Sequence, residues 1–118
     1  MKTHTLRHLR HLACQRQHGR CFYCGLLMWE RRPDEVMRRY GISARLASTL
    51  QCTAEHLVAR CEGGADTRSN IVAACGLCNH RRHKGRSKSA PQWAPYKQRV
   101  DKRMAAGKWH PVKRAAQA

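Results

Sequence analysis

Two Cys-x-x-Cys pairs, Cys21/Cys24 and Cys75/Cys78, with Cys24 and Cys75 51 positions apart in a chain of 118 residues, restrict the fold more than any other feature. A domain this small buries a limited share of its surface and needs a staple. Each pair presents two sulfurs at the spacing a tetrahedral zinc accepts. Four thiolates would close the shell, so such a zinc is structural and not catalytic. The separation exceeds the roughly 15–20 residues of an ordinary zinc ribbon, so the segment between must leave the metal and return. The alternative is two unrelated cysteine turns. Cys14, Cys52 and Cys61 stand outside the pairs, and an odd total of 7 cysteines argues against a closed disulfide framework. They read by default as small buried thiols, Cys14 on the apolar face of the first helix and Cys52 and Cys61 beside a strand. No spacing supports a further ligand or redox role for them.

The start of the chain runs into charged residues, with no apolar stretch of the length a secretory signal or a membrane span needs. A cytoplasmic location with reduced thiols follows as the expectation, and paired cysteines in that compartment are metal ligands more often than disulfides. The formal charge of +17, from 24 Lys+Arg against 7 Asp+Glu, has a polyanion as its natural counterpart, and nucleic acid leads that class. A solvated basic surface without a specific partner is the bland alternative.

Leu6, Leu9, Leu12 and Ala13 recur at helical spacing, predicting an amphipathic helix from Thr3 to Gln17 that Gly19 stops. Pro33-Asp34-Glu35 suits a first helical turn, Gly41 a stop, and Ser43 the cap of a second short helix carrying Leu46 and Leu50. The stretch Glu35 to Ser43 resembles a helix-turn-helix. It reads either as a DNA reader or as a helical insertion packed between the zinc ligands. Gln51 to Val58 predicts a strand, Glu62 to Asp66 a loop, and Asn70 to Ala74 a returning strand. A helix is expected from Asn79, as its cap, to Lys84, ended by Gly85. From Arg81 to Arg114 Asp101 is the lone acidic residue, and Pro95 to Met104 has helical character. Lys113 to Ala118 reads as loose.

Between and after the cysteine pairs fall Glu55-His56, the Gly63-Gly64 loop, Asn70 and Cys78-Asn79, with His83 beyond. In this order and register the chain resembles the HNH endonuclease family (ββα-metal, His-Me finger), in the subgroup clamped by two Cys-x-x-Cys pairs. The resemblance runs from about Arg20 to Lys84. It implies that His56 is the general base toward the attacking water, that Glu55 is a metal ligand, that Asn70 ties down the loop and helps orient the base, and that Asn79 contributes to the catalytic metal site. Glu55 stands where Asp is commoner in the family, and Ala59 where many members carry Pro; the longer Glu55 side chain bears on metal geometry.

Physical chemistry agrees with these roles. A neutral imidazole accepts a proton near neutral pH, and general-base help is worth roughly 10²–10⁴-fold. A carboxylate and an amide oxygen suit Mg²⁺ or Mn²⁺ and leave positions open for water and phosphate. His83 shares a helical face with Asn79, four residues earlier. It is either a further metal ligand, as in colicin-type members of the family, a phosphate contact, or a solvent-facing histidine.

The expected fold is α+β: a small zinc-stabilised ββα-metal core at about 20–86 within one domain, 1–118, with an N-terminal helix, a helical insertion and a basic C-terminal extension, 87–118. The expected activity is hydrolysis of DNA phosphodiesters to 3′-hydroxyl and 5′-phosphate ends. A phage terminase or another DNA-processing system stands as a possible partner, and a phage or bacterial source suits such a protein by association with the family. Arg81, Arg82, Lys84, Arg86 and Lys88 are expected against the phosphates that flank the scissile bond, which positions DNA without reading its sequence. Trp93, Tyr96 and Trp109 either stack on bases or anchor the basic tail to the domain. A non-catalytic zinc-dependent DNA-binding module, and a zinc-stabilised RNA-binding protein, are the alternatives. Neither requires Glu55, His56, Asn70 and Asn79 together.

Overall fold

A computed structural model describes residues 5–84 and 90–113. The first helix, α1 (Leu6–Arg16), begins where Thr5 turns its hydroxyl to accept the His8 N–H at 3.1 Å, satisfying one of the orphan donors of the first turn. Its face of Leu9, Ala13 and Cys14 is buried against a two-stranded sheet. The chain leaves α1 through His18 and Gly19, with φ of 56° and 76°, a left-handed exit that glycine accepts without cost. Cys21 to Cys24 then forms the first metal turn, flanked by a bridge between Arg20 and Leu27.

The insertion folds as α2 (Asp34–Tyr40) and α3 (Ala44–Ala47), followed by a single 3-10 turn, Ser48–Leu50. Asp34 and Glu35 in the first turn of α2, with Arg38 and Arg39 in its last, complement the helix dipole, and Gly41 closes it at φ 61°. Ser43 accepts the Leu46 N–H and caps α3 as predicted. Val36, Ala47 and Leu50 are buried, the Tyr40 hydroxyl accepts from the Leu27 N–H, and the Trp29 indole donates to the Ala47 carbonyl. The segment is therefore a packed insertion. Each fully buried side chain of the size of Leu50 stabilises the fold by ~1.5–3 kcal/mol.

β1 (Cys52–His56) pairs antiparallel with β2 (Ile71–Cys75), with Cys52 opposite Cys75 and His56 opposite Ile71. All five residues of β2 are buried. Next comes α4 (Gly76–His83). Here the structure corrects the expected boundary. Cys75 is the cap, its sulfur accepting the Cys78 N–H, so Asn79 lies within the helix and not at its start. A thiolate can cap as a hydroxyl does, and the extended backbone of the strand delivers it there. The predicted stop, Gly85, lies outside the described residues.

Finally, α5 (Trp93–Ala105) holds Pro95 in its first turn, where no helical N–H is needed, and buries Tyr96 and Val100. Among the described residues no helix is long and apolar enough to cross a membrane.

Candidate active site

The two cysteine turns meet as predicted. The sulfurs of Cys21, Cys24, Cys75 and Cys78 all lie within 4.8 Å of one another, and all four residues are buried. Cys24 and Cys75 are 3.9 Å apart, close to the ~3.8 Å edge of a tetrahedron with Zn–S bonds of ~2.3 Å. The surroundings are those of thiolate ligands. Backbone N–H groups of Tyr23, Cys24 and Cys75 point at the Cys21 sulfur at 3.3–3.5 Å. Burial works against the charged form of Cys21, but hydrogen bonds from its neighbours hold its thiol well below the usual range.

Two further donors come from the C-terminal extension. The Trp109 indole N–H reaches the Cys78 sulfur at 3.3 Å, and His110 Nε2 lies 3.8 Å from the Cys75 sulfur. His110 Nδ1 accepts the Val112 N–H, so its proton sits on Nε2, facing Cys75. Tyr96 donates to the Cys78 carbonyl. The aromatic residues thus anchor the tail to the metal turns, and exposed Trp93 leans on Phe22 with ring centroids 5.6 Å apart.

β1 ends in the Glu55-His56 pair, whose side chains leave opposite faces of the strand. Glu55 points inward and is 1% exposed. Its Oε2 accepts from the Tyr23 hydroxyl and from Arg82 Nη1, both at 2.9 Å, while Oε1 is 3.1 Å from His83 Nε2. Burial, and then the charge of Glu55, raise the Tyr23 phenol far above its usual value, so it remains a neutral donor. On the other face His56 Nε2 lies 2.8 Å from Asp66 Oδ1 and 3.3 Å from Arg60 Nε. One nitrogen cannot donate to the first and accept from the second. The shorter contact to a carboxylate sets the tautomer: Nε2–H donates to Asp66, and Nδ1 keeps its lone pair. Arg60 pairs with the same carboxylate, Nη2 to Oδ2 at 3.0 Å. The hydrogen bond from His56 holds the Asp66 carboxyl below its usual value.

Asn70 closes the loop between the strands. Its Oδ1 accepts the Val58 N–H at 2.8 Å, and its Nδ2 donates to the carbonyls of Val58 and Ala65. The loop passes so close to itself that a Cβ on Gly64 would fall on the Val58 carbonyl. On α4, Asn79 Nδ2 donates to Thr53 Oγ1 at 3.0 Å and to the Ala54 carbonyl at 3.2 Å, so its oxygen is the atom it has to offer a cation. Asn79 and His83 border an open cleft with Thr53, Gly76, His80 and Lys84.

The residues fit a hard divalent cation. Glu55 Oε1 and His83 Nε2, 3.1 Å apart, have the spacing of neighbouring ligands at ~2.1 Å from an octahedral ion, and Asn79 lines the same cleft as His83.

The basic residues of α4 differ from expectation. Arg82 is 1% exposed and donates to Glu55 and to the carbonyls of His56, Leu57 and Pro91. A buried guanidinium spent in this way does not reach a phosphate. Arg81 is exposed but lies over the Trp109 ring, 4.8 Å from its centroid, and donates to the Trp109 carbonyl. Lys84 is exposed at the cleft. Arg86 and Lys88 lie outside the described residues. Cys14 and Cys52 are buried as expected, whereas Cys61 is exposed in the loop's 3-10 turn and is not a core thiol.

Sequence reading missed Tyr23, Asp66, and the inward role of Arg82. Asp66 carried a signal: it is one of 7 acidic residues in a chain of net charge +17, placed just after Gly63-Gly64. A family model described as HNH endonuclease matches residues 43–85. Comparison with curated proteins and with solved structures gives no match.

Proposed function

We propose that the chain is a divalent-metal-dependent endonuclease that hydrolyses DNA phosphodiesters, with His56 as general base; the match of residues 43–85 to the HNH endonuclease model supports this reading. The observation that carries the reading is the His56–Asp66 contact at 2.8 Å, next in the chain to a buried carboxylate that shares its free edge with His83. Binding alone has no use for an imidazole whose one nitrogen is anchored and whose other is left basic.

His56 Nδ1 takes a proton from water as the oxygen attacks phosphorus; a P–O bond forms, the bond to the 3′ oxygen breaks, and the 3′ oxygen is protonated from solvent. Asp66 stabilises the imidazolium that results and keeps the ring in orientation. Asn70 holds the loop that carries Asp66. Glu55, Asn79 and His83 would hold the cation, Mg²⁺ or Mn²⁺, which when bound supplies positive charge to the phosphate and the leaving oxygen. Arg82 and Tyr23 fix the Glu55 carboxylate and offset its burial. Lys84 at the cleft meets the flanking phosphates, and the +17 charge draws in the polyanion. A structural Zn²⁺ in the four-cysteine site would clamp β2 and α4 to the first turn. The whole chain acts as one domain, since Tyr96, Trp109 and His110 fasten the extension to that clamp.

Purified protein incubated at low salt with supercoiled plasmid and Mg²⁺ or Mn²⁺ is expected to relax or linearise it, with activity lost in EDTA and with ends that carry ligatable 5′-phosphates. No cleavage with either ion by zinc-loaded protein that still binds DNA in a salt-sensitive way would favour the non-catalytic binding module.

A further inference from the structure

A second group of metal-type donors lies apart from both sites above. α1 carries His11 and Cys14, three residues apart and so on one face. Cys14 is buried against the sheet, where Cys52, the first residue of β1, is buried too. Glu30 arrives from the loop before α2 because Trp29 bridges Gln51 and its carbonyl accepts the Cys52 N–H at 2.8 Å, which brings the next residue alongside. The sulfurs of Cys14 and Cys52 and a carboxylate oxygen of Glu30 lie within 4.8 Å of one another. His11 Nδ1 is 3.0 Å from Glu30 Oε2, and Arg10 Nη2 is 3.5 Å from Oε1.

We propose that Cys14, Cys52 and Glu30 bind a second thiophilic divalent cation of the zinc class, with His11 as the fourth ligand. Two sulfurs, a carboxylate oxygen and an imidazole nitrogen form a donor set that zinc takes, and the sulfurs select it over Mg²⁺ or Ca²⁺. The geometry needs a small contraction from separations of at most 4.8 Å toward tetrahedral edges of ~3.8 Å. His11 lies outside that 4.8 Å group, and its half-exposed ring, paired with Glu30, would turn toward the sulfurs to complete the shell. The charges also balance. Two thiolates and one carboxylate around a doubly charged cation leave one net negative charge, and the Arg10 guanidinium stands beside it. Binding forms two metal–sulfur bonds and releases the thiol protons to solvent. The bound ion would cross-link α1, β1 and the loop before α2, three segments held otherwise by packing and a few hydrogen bonds.

The test is metal stoichiometry and cobalt spectroscopy on the full chain, prepared reduced and free of oxygen, with Zn²⁺ or Co²⁺ as the only added metal. The expected result is a thiolate-to-cobalt absorption that rises in two stages, its final intensity scaling with six bound thiolates instead of four. The catalytic ligands Glu55, Asn79 and His83 contain no sulfur and add nothing to that band. Cys14→Ser/Cys52→Ser is expected to lose the second stage and keep the first. Glu30→Gln leaves both sulfurs in place and is expected to weaken the second stage at least about tenfold, so it decides the question even if the double variant fails to fold. Saturation at four thiolates in the native chain, a Cys14–Cys52 disulfide in its intact mass, or a second stage unchanged in Glu30→Gln would overturn the proposal.

Discussion

Replacing Arg82 with Met tests the inner wall of the site most sharply. Met keeps the length and apolar bulk of the side chain but donates nothing. Arg82 Nη1 gives 2.9 Å bonds to Glu55 Oε2 and to the His56 carbonyl, Nη2 one to Leu57 and Nε one to Pro91, all from a residue 1% exposed. Without it, a carboxylate equally buried keeps only Tyr23 and His83 as partners. Removing one partner of a buried ion pair costs about 3–5 kcal/mol, chiefly because the surviving charge is left uncompensated. For a domain of this length that loss lowers the melting temperature by on the order of 10–20 °C. The assay is urea and thermal unfolding of zinc-loaded protein, followed by circular dichroism. The cycle with Glu55→Gln is informative as well: once the carboxylate is neutral, loss of the guanidinium should cost clearly less than it does alone. Unfolding of Arg82→Met within about 0.5 kcal/mol of the native chain, as for a surface change, would show that the Arg82–Glu55 pair does not hold the fold. A salt slope of DNA binding reduced by about 0.9 would then assign Arg82 to a phosphate.

Asp66→Asn is expected to lower kcat roughly 10–100-fold with little change in KM, since part of the general-base contribution is lost while substrate contacts stay; equal rates would separate Asp66 from the reaction. The Asp66 carboxyl, held down by the His56 hydrogen bond, should titrate below 3.8 in carbon NMR. A carboxyl with a depressed folded value stabilises the fold above its unfolded value and loses that contribution as pH falls through the folded one. The contact should therefore persist unbroken from pH 8 to about 5, and an Asp66 midpoint at or above the usual value would contradict it. Gly64→Ala should destabilise by about 1–3 kcal/mol and depress cleavage, because the new methyl displaces Val58 or the Asn70 amide; a variant normal in both respects would count against the loop geometry. Trp109→Phe/His110→Phe removes the two side-chain N–H donors to Cys78 and Cys75. It should release zinc to a competing chelator at an affinity about 10–100-fold weaker, and unchanged retention would show that the extension does not support the metal turns.

Much of this architecture was legible because local chemistry and tertiary structure agree. Of Leu6, Leu9, Leu12 and Ala13, which recur at helical spacing, Leu9 and Ala13 form the buried face of α1 with Cys14 while Leu6 and Leu12 stay half-buried, and Gly41 and Ser43 punctuate the insertion as their backbone preferences require. The two cysteine pairs announced their own meeting. What escaped were features that depend on three-dimensional neighbours. Arg82 reads in sequence like Arg81 beside it, yet the helical turn places one against Glu55 and the other over Trp109. Asn79 looks like a cap until the strand hands that role to Cys75, the first residue of the metal turn. Asp66 reaches His56 only because Asn70 and Gly64 fold the intervening loop on itself. Tyr23 sits between two zinc ligands, where a ring is expected to pack, and nothing nearby in the chain hints that its hydroxyl serves Glu55.

His56 is proposed to perform chemistry and not binding. The direct measurement compares native protein with His56→Ala, purified identically, for Mg²⁺- or Mn²⁺-dependent plasmid cleavage, DNA affinity and bound zinc. Unchanged zinc and DNA affinity are expected, with cleavage reduced by roughly 10²–10⁴-fold. Cleavage by His56→Ala at the native rate would contradict it and assign proton abstraction, or the activity itself, to another group.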